Sequence, residues 1–135
     1  MLKIIIGVKG TGKTKSLISL VNEAVEKSHG DVVCIEKGVK LRYDIKYRAR
    51  LIDTIEYFLN DGQSLYGFVA GILASNHDVT DLFIDSSLKI CNDNYADFDK
   101  FVEELAAVAE KVGVNVVTTA SMPAENASDI VKKYL

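Results

Sequence analysis

Residues Gly7-Val8-Lys9-Gly10-Thr11-Gly12-Lys13-Thr14 read G-x-x-x-x-G-K-T. An apolar run, Leu2 to Ile6, comes directly before them, and an apolar stripe of Leu17, Ile18, Val21, Ala24 and Val25 follows at helical spacing. The local order is therefore strand, tight glycine-rich turn, helix. Gly10 and Gly12 allow positive φ and close backbone approach. Successive N–H groups in such a turn point inward, and the helix adds its positive N-terminal end, so the segment is suited to an anion. The expected phosphate-holding set is Gly7, Val8, Lys9, Gly10, Thr11, Gly12, Lys13, Thr14 and Lys15. In this pattern the lysine reaches the β and γ phosphates and the threonine hydroxyl ligates Mg²⁺. The plain alternative is a strand-to-helix turn with an incidental lysine.

The bulk numbers narrow the class. The chain has 135 residues, enough for a single domain spanning residues 1–135 with one core. A net charge of −3 supplies no global basic field toward nucleic acid. No apolar run is long enough to span a bilayer. The first strand begins at Leu2, which leaves no room for a leader before it, and a cytoplasmic home is expected. Cys34 and Cys91 lack metal-ligand spacing and are expected to be reduced thiols. His29 and His77 fall at element ends and read as surface turn residues.

Beyond the first helix, set at Lys13–Ser28 with Gly30 as its cap, the pattern predicts a buried strand at Asp31–Glu36. A helix is expected at about Gln63–Ser75, and a strand at Asp81–Asp85. A helix over Asp97–Val112 takes Asp97 as its N-cap and Gly113 just past its end. A strand at Val114–Thr119 follows, then a short last helix opened by Pro123. Strands alternating with helices imply an α/β fold with a small, mostly parallel sheet of four or five strands. Sites in such sheets lie at the carboxyl ends of strands, where Gly7–Thr14, Glu36, Asp85 and Thr119 would converge. Between Leu41 and Leu51, apolar and charged residues alternate strictly, which predicts extended chain or a hairpin. That stretch reads either as a charge-blunted edge strand or as an arginine-presenting surface for a neighbouring subunit or polyanion.

Leu82-Phe83-Ile84-Asp85 is an apolar strand ending in an acid, suited to holding a Mg²⁺-bound water beside Thr14. Together, GVKGTGKT and DLFID carry the Walker A and Walker B patterns and resemble the P-loop NTPase superfamily, in particular its additional-strand division. The resemblance implies a three-layer αβα P-loop NTPase fold, here truncated, that binds ATP and Mg²⁺. It implies catalytic roles for Lys13 and Asp85, with Thr14 and Asp85 as the metal pair. The division usually places a glutamate just after the acid to orient the attacking water. Here Ser86 and Ser87 follow, and Glu36 on the neighbouring strand is the substitute the resemblance offers. Thr119, near the end of the last strand, takes the place of a γ-phosphate sensor.

Over its full length the chain also resembles short bacterial ATP-binding proteins. The match runs from the N-terminal loop through Tyr66-Gly67-Phe68-Val69-Ala70-Gly71-Ile72 to the terminal Ile130–Leu135 segment. Some of those are labelled twitching-motility ATPases, but that label belongs to much larger proteins with histidine and acidic boxes absent here. The guanine-reading N/T-K-x-D motif is missing, and Val8 stands where partitioning-type ATPases carry an extra lysine. The expected activity is ATP–Mg²⁺ binding with weak or partner-dependent hydrolysis, as a nucleotide switch that acts through a homo-oligomer or a protein partner. A small-molecule kinase and a non-catalytic interaction module are the alternatives. The kinase needs arginines in a lid, and the chain has only Arg42, Arg48 and Arg50, all in one segment.

Overall fold

A computed structural model describes all 135 residues. In chain order the elements are β1 (Leu2–Gly7), α1 (Lys13–Lys27), β2 (Asp31–Glu36), β3 (Arg50–Asp53), α2 (Gly62–Ser75), β4 (Val79–Ile84), α3 (Ser87–Ile90), α4 (Tyr95–Val112), β5 (Asn115–Ser121), a 3₁₀ turn (Ala124–Asn126) and α5 (Asp129–Lys132). The strands form one five-stranded sheet in the order β1-β5-β4-β2-β3. Every pairing is parallel. The expected α/β class holds, and the sheet is wholly rather than mostly parallel. The last strand in sequence, β5, lies between β1 and β4. Ile5 pairs with Thr119, and Ile84 with Thr118.

Parallel strands covered on both faces read as near-continuous apolar runs, and β2 is the clearest case, with Val32, Val33, Cys34 and Ile35 all buried. Its side chains alternate between two cores. Val33 and Ile35 join Leu82, Ile84 and Val116 against α2, α4 and α5. Val32 and Cys34 join Phe83 against the Leu17, Val21 and Val25 stripe of α1. The sheet is thus sandwiched, with α1 on one side and α2 and α4 on the other. No helix is long and apolar enough to cross a membrane.

Several boundaries depart from the sequence reading. Residues 41–49 are not extended. Leu41, Ile45 and Ala49 are buried in the α1-side core, while Tyr43 and Tyr47 are 85% and 94% exposed. The amides of Asp44 and Ile45 both donate to Leu41 O, so the segment turns with a spacing of four. An apolar series at every second residue contains a series at every fourth, and the tyrosines tolerate the water that leucine and isoleucine leave. Only Arg50–Asp53 is strand, and it pairs with β2 as the fifth strand.

The three arginines of the Leu41–Leu51 stretch are exposed, and two of them also touch the protein's own surface. Arg48 Nη2 donates to Val25 O at 2.8 Å, near the end of α1, and Lys46 pairs with Glu26. Arg42 lies over the Tyr43 ring, 4.9 Å from its centroid.

The capping expectations also shift. Helix α1 ends on Ser28 in extended geometry, and Gly30 instead lies against Asp78 O, which an added Cβ would meet at 2.3 Å. Asn94, not Asp97, caps α4, accepting from Asp97 N; the Asp97 carboxylate accepts from Gly62 N at 2.7 Å and so fixes the start of α2. Pro123 precedes the 3₁₀ turn, and α5 starts later under a Ser128 cap.

Candidate functional site

The carboxyl ends of β1, β4 and β2 open onto a cleft of about 470 Å³ beside the 7–15 loop. The loop is shaped by Gly10 and Gly12, at φ 86° and 85°, conformations that strain any residue with a Cβ. Gly7 sits beneath the Thr11 side chain, whose Oγ1 would be 2.5 Å from an added Cβ. Thr11 Oγ1 and Lys13 Nζ both donate to Val8 O, at 2.8 and 2.9 Å. The loop is therefore closed on itself through one carbonyl. Its amides are not used in this way. From Val8 through Lys15, no backbone N–H donates to any protein acceptor; the first amide of this stretch that does is Ser16 N, to Gly12 O at 3.0 Å. Such a run of free donors at a helix N-terminus favours an anion with several acceptor oxygens.

Across from the loop, Asp85 follows β4 and is 9% exposed. Thr14 Oγ1 lies 3.2 Å from each of its carboxylate oxygens. Behind it Thr119 Oγ1 donates to Asp85 Oδ1 at 2.7 Å and accepts from Ser86 N at 2.7 Å. Thr119 is buried and stands outside the cleft lining; its geometry orients Asp85. The backbone turns sharply at Ser86, which holds φ 58°. Residues in this sparsely populated region often mark sites where side-chain direction matters more than local comfort. Ser87 is buried, 2.7 Å from Thr118 Oγ1 and 3.2 Å from Thr119 O, and faces the core.

Glu36 lines the same cleft, yet it is 3% exposed and both of its oxygens are engaged. Oε1 accepts from Lys40 N at 3.1 Å and Oε2 from Leu41 N at 3.0 Å. It anchors the turn that leads into the 41–49 segment. Burial pushes its carboxyl above the ordinary range; the two N–H groups pull it down, and the charges of Asp85 and Asp53 add a smaller push upward. With the folded pKa raised, the group favours folding most on the acid side, and that contribution is lost as pH rises through its folded pKa. Glu36→Gln should abolish this slope. It should also cost about 1–3 kcal/mol, because an amide nitrogen then faces a backbone donor. Urea denaturation between pH 4 and 8 checks both.

Cys34 lies beneath this edge, its thiol pushed up to about 12 by burial and then by the Asp85 and Glu36 charges, so it offers no nucleophile.

The structure thus brings Lys9, Gly10, Gly12, Lys13, Thr14, Lys15, Glu36 and Asp85 to one cleft. Gly7, Val8 and Thr11 belong to the loop but stand outside the cleft lining. Sequence reasoning missed Lys37, Lys40, Lys89 and Asp93, which line the same cleft. Lys37 and Lys40 had a signal, since they follow directly on a strand end at the site edge. Lys89 sits on α3, a single turn of helix with no periodic pattern to announce it. No protein-family model and no curated protein matches this chain.

Proposed function

We propose that the protein binds ATP with Mg²⁺ at the 7–15 loop and hydrolyses it slowly or only with a partner, as a nucleotide-state switch. The observation that carries this reading is the unbroken set of unpaired amides from Val8 to Lys15, in a loop that lines a cleft together with Asp85. A triphosphate tail offers the acceptor oxygens this set lacks.

The donor set also fits Mg²⁺. Thr14 and Asp85 are hard oxygen ligands already in mutual contact. No cluster of three His, Cys, Asp or Glu side chains stands anywhere in the chain, so the ion's remaining ligands would be phosphate oxygens and water, the usual arrangement for Mg²⁺. Mg²⁺ bound there supplies charge neutralisation on the phosphates. In this reading Lys13 leaves Val8 O for the phosphates, and Thr119 keeps Asp85 aimed at the metal. The position of β5 between β1 and β4 agrees with the additional-strand P-loop architecture that the sequence resembles.

Slow turnover is expected because no carboxylate directly follows Asp85 to take a proton from the attacking water, which leaves Asp93 as the one lining acid whose side chain is unbonded. Ser86 and Ser87 follow Asp85, and the Glu36 oxygens hold the loop. The kinase alternative is weaker here, because Arg48 is tied to Val25 O and Arg42 lies against Tyr43 rather than over the cleft. Calorimetric titration with ATP, with and without Mg²⁺, alongside phosphate release, tests the reading. Binding that strengthens with Mg²⁺ and slow release without any added metabolite support it; absence of ATP binding removes it.

A further inference from the structure

The cleft is built almost entirely from polar groups. Its one hydrophobic lining residue is Leu41, which is 3% exposed and belongs to the α1-side core. No aromatic ring lines it. Sites that read a purine ordinarily give it an apolar or aromatic wall with a few directed polar contacts, and none lines this cleft; the apolar groove of Ile4, Ile6, Ser16 and Leu20 is a separate one.

What the cleft has instead is positive charge. Lys9, Lys13 and Lys15 come from the loop and the start of α1, Lys37 and Lys40 from the turn after β2, and Lys89 from α3. None of these ammonium groups is in an ion pair within the protein, whose salt bridges are Lys27–Glu23 and Lys46–Glu26. Only Lys13 has a hydrogen-bond acceptor, the Val8 carbonyl. The acids in the lining are Glu36, Asp85 and Asp93, so lysines outnumber them in a chain whose net charge is −3. Three separate segments of the chain thus contribute lysines to one cleft.

We infer that this site recognises the polyphosphate tail and leaves the base unread, so that its ligand class is nucleoside triphosphates of any base, together with inorganic tripolyphosphate. The inference rests on the phosphate-binding reading above and narrows its specificity. If the binding energy comes from amides, lysines and metal acting on phosphate oxygens, ligands sharing the tail bind alike. Those lacking it do not bind, and added salt weakens all of them together.

Competition calorimetry on the full chain with Mg²⁺ tests this, using ATP, GTP, CTP, inorganic tripolyphosphate and adenosine. The expected result is dissociation constants for the three nucleotides and tripolyphosphate within about threefold of one another, with adenosine inert. A second arm uses Lys37→Ala with Lys40→Ala. Both side chains are exposed, so folding should be kept, and every polyphosphate should weaken by one common factor. ATP binding more than about tenfold tighter than both GTP and tripolyphosphate, or competition by adenosine, overturns the inference while leaving ATP binding itself in place. If no polyphosphate binds, the phosphate-binding reading itself fails.

Discussion

Replacing Lys13 with alanine should weaken ATP–Mg²⁺ binding by about 10- to 100-fold, the span corresponding to the loss of charge-assisted hydrogen bonds to phosphate. The same change should leave the melting temperature nearly unmoved. In the free protein Lys13 makes one bond, to the exposed Val8 carbonyl at 2.9 Å, and Thr11 Oγ1 still reaches that carbonyl at 2.8 Å. Calorimetry and a thermal melt on the same preparation separate the two effects. An unchanged affinity would place the nucleotide elsewhere. A lost melting transition would mean that Lys13 is structural.

The second large effect falls on Asp85. In Asp85→Asn the side-chain oxygen still accepts from Thr119, so the β4 edge should hold its shape. The carboxylate charge that, in the proposed reading, draws Mg²⁺ to Thr14 is gone. The gain in ATP affinity on adding Mg²⁺ should disappear, while affinity without metal stays the same or rises, since a negative charge has left the cleft. Phosphate release, where measurable, should fall by about 100-fold or more, on the scale of losing a preorganised electrostatic group. Titrations at matched ionic strength with and without Mg²⁺ read this out. A full Mg²⁺ effect in the variant would assign the ion to other ligands.

How much of this was legible in the sequence follows from how local each signal is. The 7–15 loop and its flanking strand and helix were readable because glycine, lysine and threonine at fixed offsets act on their own neighbours. Asp85 was readable because an apolar run ending in an acid marks a strand mouth. Glu36 was correctly placed at the edge, but its binding to the Lys40 and Leu41 amides depends on where the following chain turns.

The Leu41–Leu51 stretch reads as extended from its period-two pattern, which also contains the period-four set Leu41, Ile45 and Ala49. Which set is buried depends on α1, packed against it from a distant part of the chain. The edge strand expected within Leu41–Leu51 forms later, at Arg50–Asp53, for the same reason, and the four-residue helix that carries Lys89 is too short to show a periodic pattern. Thr119 is legible in the sequence only as a polar strand end; that its hydroxyl donates to Asp85 depends on β5 lying next to β4.

The central claim concerns backbone groups that mutation does not remove, so it is best tested by watching them. Amide NMR of ¹⁵N-labelled protein, titrated with Mg²⁺ and a non-hydrolysable ATP analogue, follows each N–H from Val8 to Lys15. These amides donate to nothing in the protein, and on binding they should shift downfield together and exchange more slowly with water. If they keep their free positions and exchange rates while resonances elsewhere move, for example around Ile55 to Phe58, the phosphate grip assigned to this loop is contradicted.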